Sequence, residues 1–156
     1  MPNPDSSELA PQFEQQLLAD IPLARAMQLR VADWSEDRLR LSAPLAPNIN
    51  DKGCAFGGSL ASLMTLAAWG VVTLRLHDAG IGAEVFVADT QLSYRAPLFD
   101  DLRAEAWLAD ASGWEDFIAR LRERGRASIA LDACVRLPDG GVAAECRSRY
   151  VAIATG

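Results

Sequence analysis

Histidine and lysine are nearly missing from this chain of 156 residues: His77 and Lys52 stand alone against fourteen arginines. With one histidine no Ser-His-Asp order fits, and Gly57-Gly58-Ser59-Leu60-Ala61 lacks the second glycine of a nucleophile elbow. Cysteine is scarce too. Cys54, Cys134 and Cys146 are odd in number and lack metal-ligand spacing, so no metal or other cofactor is expected. Together with the lack of a basic-then-apolar leader over Met1 to Ala10, they point to free thiols in a reducing cytoplasm. Basic charge is in deficit, with a formal net charge of -6. Such a chain has no general pull on nucleic acid or an anionic membrane, and neither is expected as a partner.

Half of the residues are hydrophobic. A single domain of this length buries roughly 70% of its unfolded surface and needs no staple. The longest apolar run, Leu60 to Leu76, has the length of a membrane span. It carries Ser62, Thr65 and Arg75 and ends at His77-Asp78, which favours a buried helix of a soluble protein.

Periodicity orders the rest. Met1 to Ser7 is rich in proline and serine and reads as loose; Ser6 or Ser7 caps a short helix through Phe13, Leu17 and Leu18 to about Asp20. Leu29 and Val31 alternate with Arg30 and Ala32, and Leu39, Leu41 and Ala43 with Arg38, Arg40 and Ser42, the period of strands with one covered face. Asp33 to Asp37 between them reads as a turn. A helix from Gly57 to Asp78 would be ~33 Å long and apolar nearly all round, so it belongs inside the protein, with Gly80 as its stop. Strands follow at Val85–Tyr94, Leu102–Leu108, Ser128–Leu137 and Val142–Ile153, the last two joined by Pro138-Asp139-Gly140-Gly141. Trp114, Phe117, Ile118 and Leu121 have helical spacing between them. The expectation is an α+β fold: about six antiparallel strands curled round a long central helix, with residues 1–20 as an N-terminal segment and 21–156 as the domain. Its edge strands call for pairing across a homodimer or a dimer of dimers.

The turn Asn48-Ile49-Asn50-Asp51-Lys52-Gly53-Cys54-Ala55-Phe56 delivers Gly57 and Gly58 to the start of the central helix. Glycine lacks a Cβ, and the first amides of a helix are unbonded and electropositive, so this end suits an anion or a carbonyl oxygen gaining charge. Two glycines also simply allow close packing of loop and helix. Asn50-x-x-Gly53-x-x-Phe56-Gly57-Gly58, the apolar helix, and Asp89-Thr90-Gln91-Leu92-Ser93-Tyr94-Arg95-Ala96-Pro97 resemble hot-dog-fold thioesterases. Those usually show N-x-x-G-x-x-H-G-G and, one helix later, a strand ending in Y-x-x-P. Ala43-Pro44-Leu45-Ala46-Pro47-Asn48 and Phe56-Gly57-Gly58-Ser59-Leu60 are similar, more narrowly, to the thioesterase-like C-terminal half of YiiD-type bacterial proteins.

The resemblance implies hydrolysis of an acyl thioester of coenzyme A or an acyl-carrier protein, with the coenzyme A moiety part of the substrate and sites at a subunit interface. It gives Gly57 and Gly58 the thioester carbonyl, and Asn50 a water or the thioester; asparagine in a loop equally bonds its own backbone. Phe56 stands where the family's histidine usually is and can line an acyl or pantetheine channel but cannot move a proton. Thr65 stands where many relatives carry Asp or Glu; it positions a water, or bonds a carbonyl one turn back. Asp89 interrupts an apolar strand and is either the base that activates water or half of a pair with an arginine. Ser59, Tyr94 and Arg95 are assigned to substrate binding, Arg95 either to a coenzyme A phosphate or to solvent. His77 complements the dipole at the helix end. The rival expectation is an acyl-thioester-binding protein of the same fold without turnover.

Overall fold

The computed structural model describes residues 6–156. The loose segment expected at Met1 to Ser7 lies outside them except for its last two residues, which are helical. The described chain runs α1 (Ser6–Asp20), α2 (Pro22–Ala26), β1 (Arg30–Ser35), β2 (Arg38–Ala43), a 3-10 turn (Ala46–Asn48), α3 (Gly57–Asp78), β3 (Ala83–Tyr94), β4 (Leu102–Leu108), α4 (Gly113–Arg124), β5 (Arg126–Arg136) and β6 (Val142–Ala154). All strands pair antiparallel in one sheet of order β1-β2-β4-β5-β6-β3. The helix α3 touches β2, β3, β4, β5 and β6, so the sheet curls round it as expected.

Enclosure explains the composition of α3. No residue from Gly57 to Leu76 is exposed, and Leu63, Met64, Ala67, Ala68, Val71 and Val72 are sealed from solvent. Although α3 is long and apolar enough to cross a membrane, most of it lies against the sheet and α1. It ends where the sequence indicates: Gly80 takes φ +71, the Gly80 amide donates to the His77 carbonyl, and the Ile81 amide to the Leu76 carbonyl. At the end of α4, Gly125 takes φ +74 and its amide closes on the Leu121 carbonyl, a left-handed cap that glycine adopts without strain.

Three features depart from expectation. The helix α2 was not anticipated; Pro22 opens it at the first helical position, where a missing N–H costs nothing. The strand β1 continues through Asp33 to Ser35, and the turn shrinks to Glu36 and Asp37, both with positive φ. This is the two-residue connection that matches the twist of antiparallel strands. Third, α1 joins the domain's own core: Leu9, Phe13 and Leu17 are buried with α3, and the Phe13 ring lies 5.8 Å from Trp69.

Close approach of α1 and β2 to α3 depends on Gly70. A Cβ there would sit 2.3 Å from the Leu39 terminal methyl and 2.9 Å from the Phe13 ring. Leu39 is wholly buried and cannot swing away. Gly70→Val therefore overpacks the core, and the expected loss is ~1–3 kcal/mol. An unchanged midpoint of urea unfolding would refute this account of the packing.

Candidate active site

The loop before α3 is tied down residue by residue. The Phe56 amide donates to the Asn48 carbonyl at 2.7 Å, and the Ala55 amide to the Leu98 carbonyl at 2.8 Å, which joins this loop to the one after β3. Asn48 is itself buried, its Nδ2 donating to the Met27 and Pro44 carbonyls at 3.0 and 2.8 Å. Within the turn, the Asn50 side-chain oxygen accepts from the Lys52 amide at 2.8 Å and the Cys54 amide at 3.1 Å. The Asn50 side-chain oxygen thus bonds its own turn, the backbone role that its place in a loop allowed. The Lys52 ammonium, at the outer rim of the turn, pairs with Asp51 at 3.0 Å.

Because of this anchoring, α3 begins abruptly. Phe56 is the N-cap residue, with φ -65 and ψ 132, and no side chain caps the helix. The Gly57, Gly58 and Ser59 amides have no acceptor among the described residues. Three adjacent unbonded donors at the positive end of a 22-residue helix form a site for negative charge. Phe56 folds its ring over Gly58, where a Cβ would meet the ring at 2.4 Å. Tyr94 does the same for Gly57: a Cβ would lie 3.3 Å from the tyrosine ring, and the Tyr94 hydroxyl donates to the Gly57 carbonyl at 2.9 Å. Both glycines therefore admit two aromatic rings close to the backbone.

Those rings remain half open to solvent, Phe56 at 54% and Tyr94 at 55%. Ile49, on the isolated bridge to Ala55, and Phe99, next to Leu98, are exposed beside the same loops. Sequence reasoning missed Ile49 and Phe99, because an apolar residue in a loop is as readily a core plug. Only the structure shows that these loops bond to each other.

Asp89 goes elsewhere. Val85 and Val87 pair with Ala152 and Tyr150, whose side chains belong to the helix-facing core, and simple alternation would put Asp89 on that face as well. A bulge between Val87 and Asp89 reverses the phase. Asp89 then lies opposite Arg149 on the convex face, where the Arg149 Nε and Nη2 donate to Asp89 Oδ2 at 3.0 and 2.8 Å. Thr90 takes the helix-facing position, bonded to the buried Ser148 at 2.9 Å. Asp89 is thus half of an ion pair directed away from α3, the second of the two readings its place in the strand allowed.

Arg95 is likewise engaged, donating to Glu145 Oε1 from Nε at 3.1 Å and Nη2 at 2.6 Å. A groove of about 360 Å³ on this convex face includes Asp132 and Arg147, already joined at 2.7 and 3.0 Å, and Glu145, which Arg95 engages, so its charged groups are all paired.

Thr65 lies eight residues into α3, about 12 Å along its axis from Gly57. The two cannot serve one bound group within a single chain. The Thr65 carbonyl accepts from the buried Tyr150 hydroxyl at 2.8 Å. Its own hydroxyl makes no hydrogen bond among the described residues, not even to the carbonyl a turn back, and it stands on the half-buried side of α3 with Ser62 and Trp69.

Cys54, Cys134 and Cys146 are all buried and unpaired. Burial raises Cys146 and pushes Cys134 up to about 11, so neither is a thiolate near neutral pH. Among the described residues no three His, Cys, Asp or Glu side chains converge as metal ligands.

A helix enclosed by a curled six-stranded antiparallel sheet, its bare glycine start reached by loops from both sides, defines the hot-dog class. The chain belongs to the YiiD_C family, described as "Putative thioesterase (yiiD_Cterm)", which matches residues 10–154. Among solved structures it is similar to a protein of unknown function from Chlorobaculum tepidum (27% identity, 96% of each chain covered, TM-score 0.90). It is also similar to a "putative thioesterase" from Shewanella oneidensis (28% identity, 94% of this chain and 98% of that one, TM-score 0.81). A third, from Pseudomonas aeruginosa and described as a "Probable Thioesterase", is 26% identical over 99% of each chain with a TM-score of 0.75.

The Asp89–Arg149 pair is exposed, with 65% and 49% of the two side chains accessible. Asp89→Asn is therefore expected to cost no more than about 1 kcal/mol. Urea titration reads this as a small midpoint shift at constant slope; a loss of several kcal/mol would mean that the carboxylate does more than pair across the surface.

Proposed function

We propose that this protein hydrolyses acyl thioesters, with the acyl group carried by coenzyme A or an acyl-carrier protein. The observation that carries the reading is the start of α3: three unbonded amides, an N-cap without a polar side chain, and an apolar rim of Phe56, Tyr94, Phe99 and Ile49. Water attacks the thioester carbonyl carbon, and the oxygen gains negative charge against the Gly57 and Gly58 amides, where preorganised donors act on the transition state. The carbon–sulfur bond then breaks, giving the carboxylic acid and the thiol, with the proton released by water ending on the departing sulfur. Phe56 and Ser59 flank the path of the acyl or pantetheine chain.

The attacking water needs positioning, and Thr65 has a free hydroxyl. Thr65 is too far from the helix start of its own chain, so it acts on the site of a second subunit. A homodimer, or a dimer of dimers, supplies that subunit through the unpaired edge of β3, where Phe86 and Val87 are half exposed. Sedimentation at micromolar concentration is expected to show at least a dimer, and monomer alone would rule the arrangement out. The buried unpaired thiols suit a reducing cytoplasm.

One observation favours binding without turnover: in the described chain Phe56 stands where the family's histidine usually is, Thr65 where many relatives carry Asp or Glu, and the compensating candidate Asp89 is turned away from α3. A panel of short, long and aromatic acyl-CoAs separates the two readings. Hydrolysis of any member supports the first, whereas binding with no turnover across the panel selects the second.

Gly57→Pro tests the oxyanion assignment. Position 57 is the first of the helix and Phe56 is already extended, the geometry that proline and its predecessor adopt. Proline also brings a Cβ that would lie 3.3 Å from the Tyr94 ring, so Gly57→Ala, which adds the same Cβ but keeps the N–H, is the reference. With folding verified by circular dichroism, Gly57→Pro should lose on the order of 10²–10³ in kcat beyond it with the Gly57 amide. Normal turnover in a folded variant eliminates that amide as a donor. The same reading requires Asp89→Asn to keep its kcat.

A further inference from the structure

Tyr94 is joined to the candidate site in a way that its surface exposure hides. It ends β3, its ring lies against the Gly57 Cα, and its hydroxyl donates to the Gly57 carbonyl oxygen. That carbonyl and the Gly58 N–H belong to one peptide unit. A hydrogen bond accepted at the oxygen draws electron density from the nitrogen and makes the N–H a stronger donor, the cooperativity found along hydrogen-bonded amide chains. The same bond fixes the tilt of the peptide plane, and hence the direction in which Gly58 N–H points.

We infer that Tyr94 is a positioning residue for the oxyanion site, acting through the Gly57–Gly58 peptide rather than by touching the reacting atoms. Its ring holds the glycine backbone from one side and its hydroxyl polarises the donor on the other. The glycine at position 57 is then a requirement of Tyr94 as much as of a ligand, because a Cβ would press on the ring at 3.3 Å. The inference rests on the thioesterase reading and adds to it a residue from a different strand. It also accounts for a polar hydroxyl on an otherwise apolar rim.

Tyr94→Phe keeps the ring and removes only the hydroxyl. Three measurements on the folded variant are decisive: the melting temperature, the affinity for a thioether analogue of acyl-CoA, and kcat on the best acyl-CoA of the wild-type panel. The analogue lacks the carbonyl and cannot use the oxyanion donors. A positioning role predicts unchanged melting and analogue affinity with a fall in kcat of roughly 2- to 10-fold, the worth of one hydrogen bond felt at second hand. It also predicts an upfield shift of the Gly58 amide proton in the NMR spectrum, whether or not substrate turns over. A lower melting temperature with unchanged kcat would make Tyr94 a structural tie only and overturn the inference. If the wild-type protein hydrolyses no thioester, the thioesterase reading falls and takes the catalytic role of Tyr94 with it; if the wild type is active and the variant equally so, Tyr94 alone falls.

Discussion

Everything in this molecule depends on burying α3. A 22-residue helix whose apolar side chains point in every direction cannot sit on a surface, and one sheet covers it only by curling. The curl leaves the helix ends at the rims of the sheet. The C-terminal end is finished in the ordinary way, with Gly80 in the left-handed region and Arg75 and His77 complementing the dipole. The N-terminal end is not finished at all: a phenylalanine occupies the position where Ser, Thr, Asp or Asn would bond the free amides. Forgoing a cap sacrifices about 1 kcal/mol of helix stability, and it leaves donors open to a ligand.

Much of this was legible in the chain. The apolar run and its glycine start announce a central helix, and strand periodicity places its covering. Asn50 was legible as a residue type but not as a role, since a turn asparagine and an orienting asparagine have the same spacing; only the structure shows its hydrogen bonds from the Lys52 and Cys54 amides. Asp89 was unreadable for a sharper reason. Alternation assigns faces only while the strand keeps its phase, and the extra residue between Val87 and Asp89 inverts it. The same happens in β1, where a bulge after Val31 sends Asp33 to the convex face and into a pair with Arg40 at 2.9 Å. Asp89, which alternation alone would put beside the helix, and Asp33, which reads as part of a turn, are both delivered to arginines outside.

Arginine in place of lysine shapes that outer face. Glu105 alone receives Arg136 at 3.0 Å, Arg40 at 3.6 Å and Arg38 at 3.7 Å, and Arg38 also covers the Trp107 ring at 4.5 Å. A planar guanidinium can share a carboxylate and stack on an indole at once, which an ammonium does poorly. The convex face thus carries carboxylates engaged by arginines at Glu105, Asp132, Asp89 and Glu145, whereas the helix start offers bare donors. This contrast separates scaffold from candidate site more sharply than any single residue does.

The near-absence of lysine has a practical side as well. Lys52 carries the chain's only side-chain amine, well exposed and located in the turn that Asn50 ties together just ahead of α3. Amine-directed chemistry, which scatters labels over most proteins, finds one side chain here. A fluorophore or spin label coupled at that point would stand at the threshold of the helix start and register the arrival of any occupant, without one residue of the sequence having been changed.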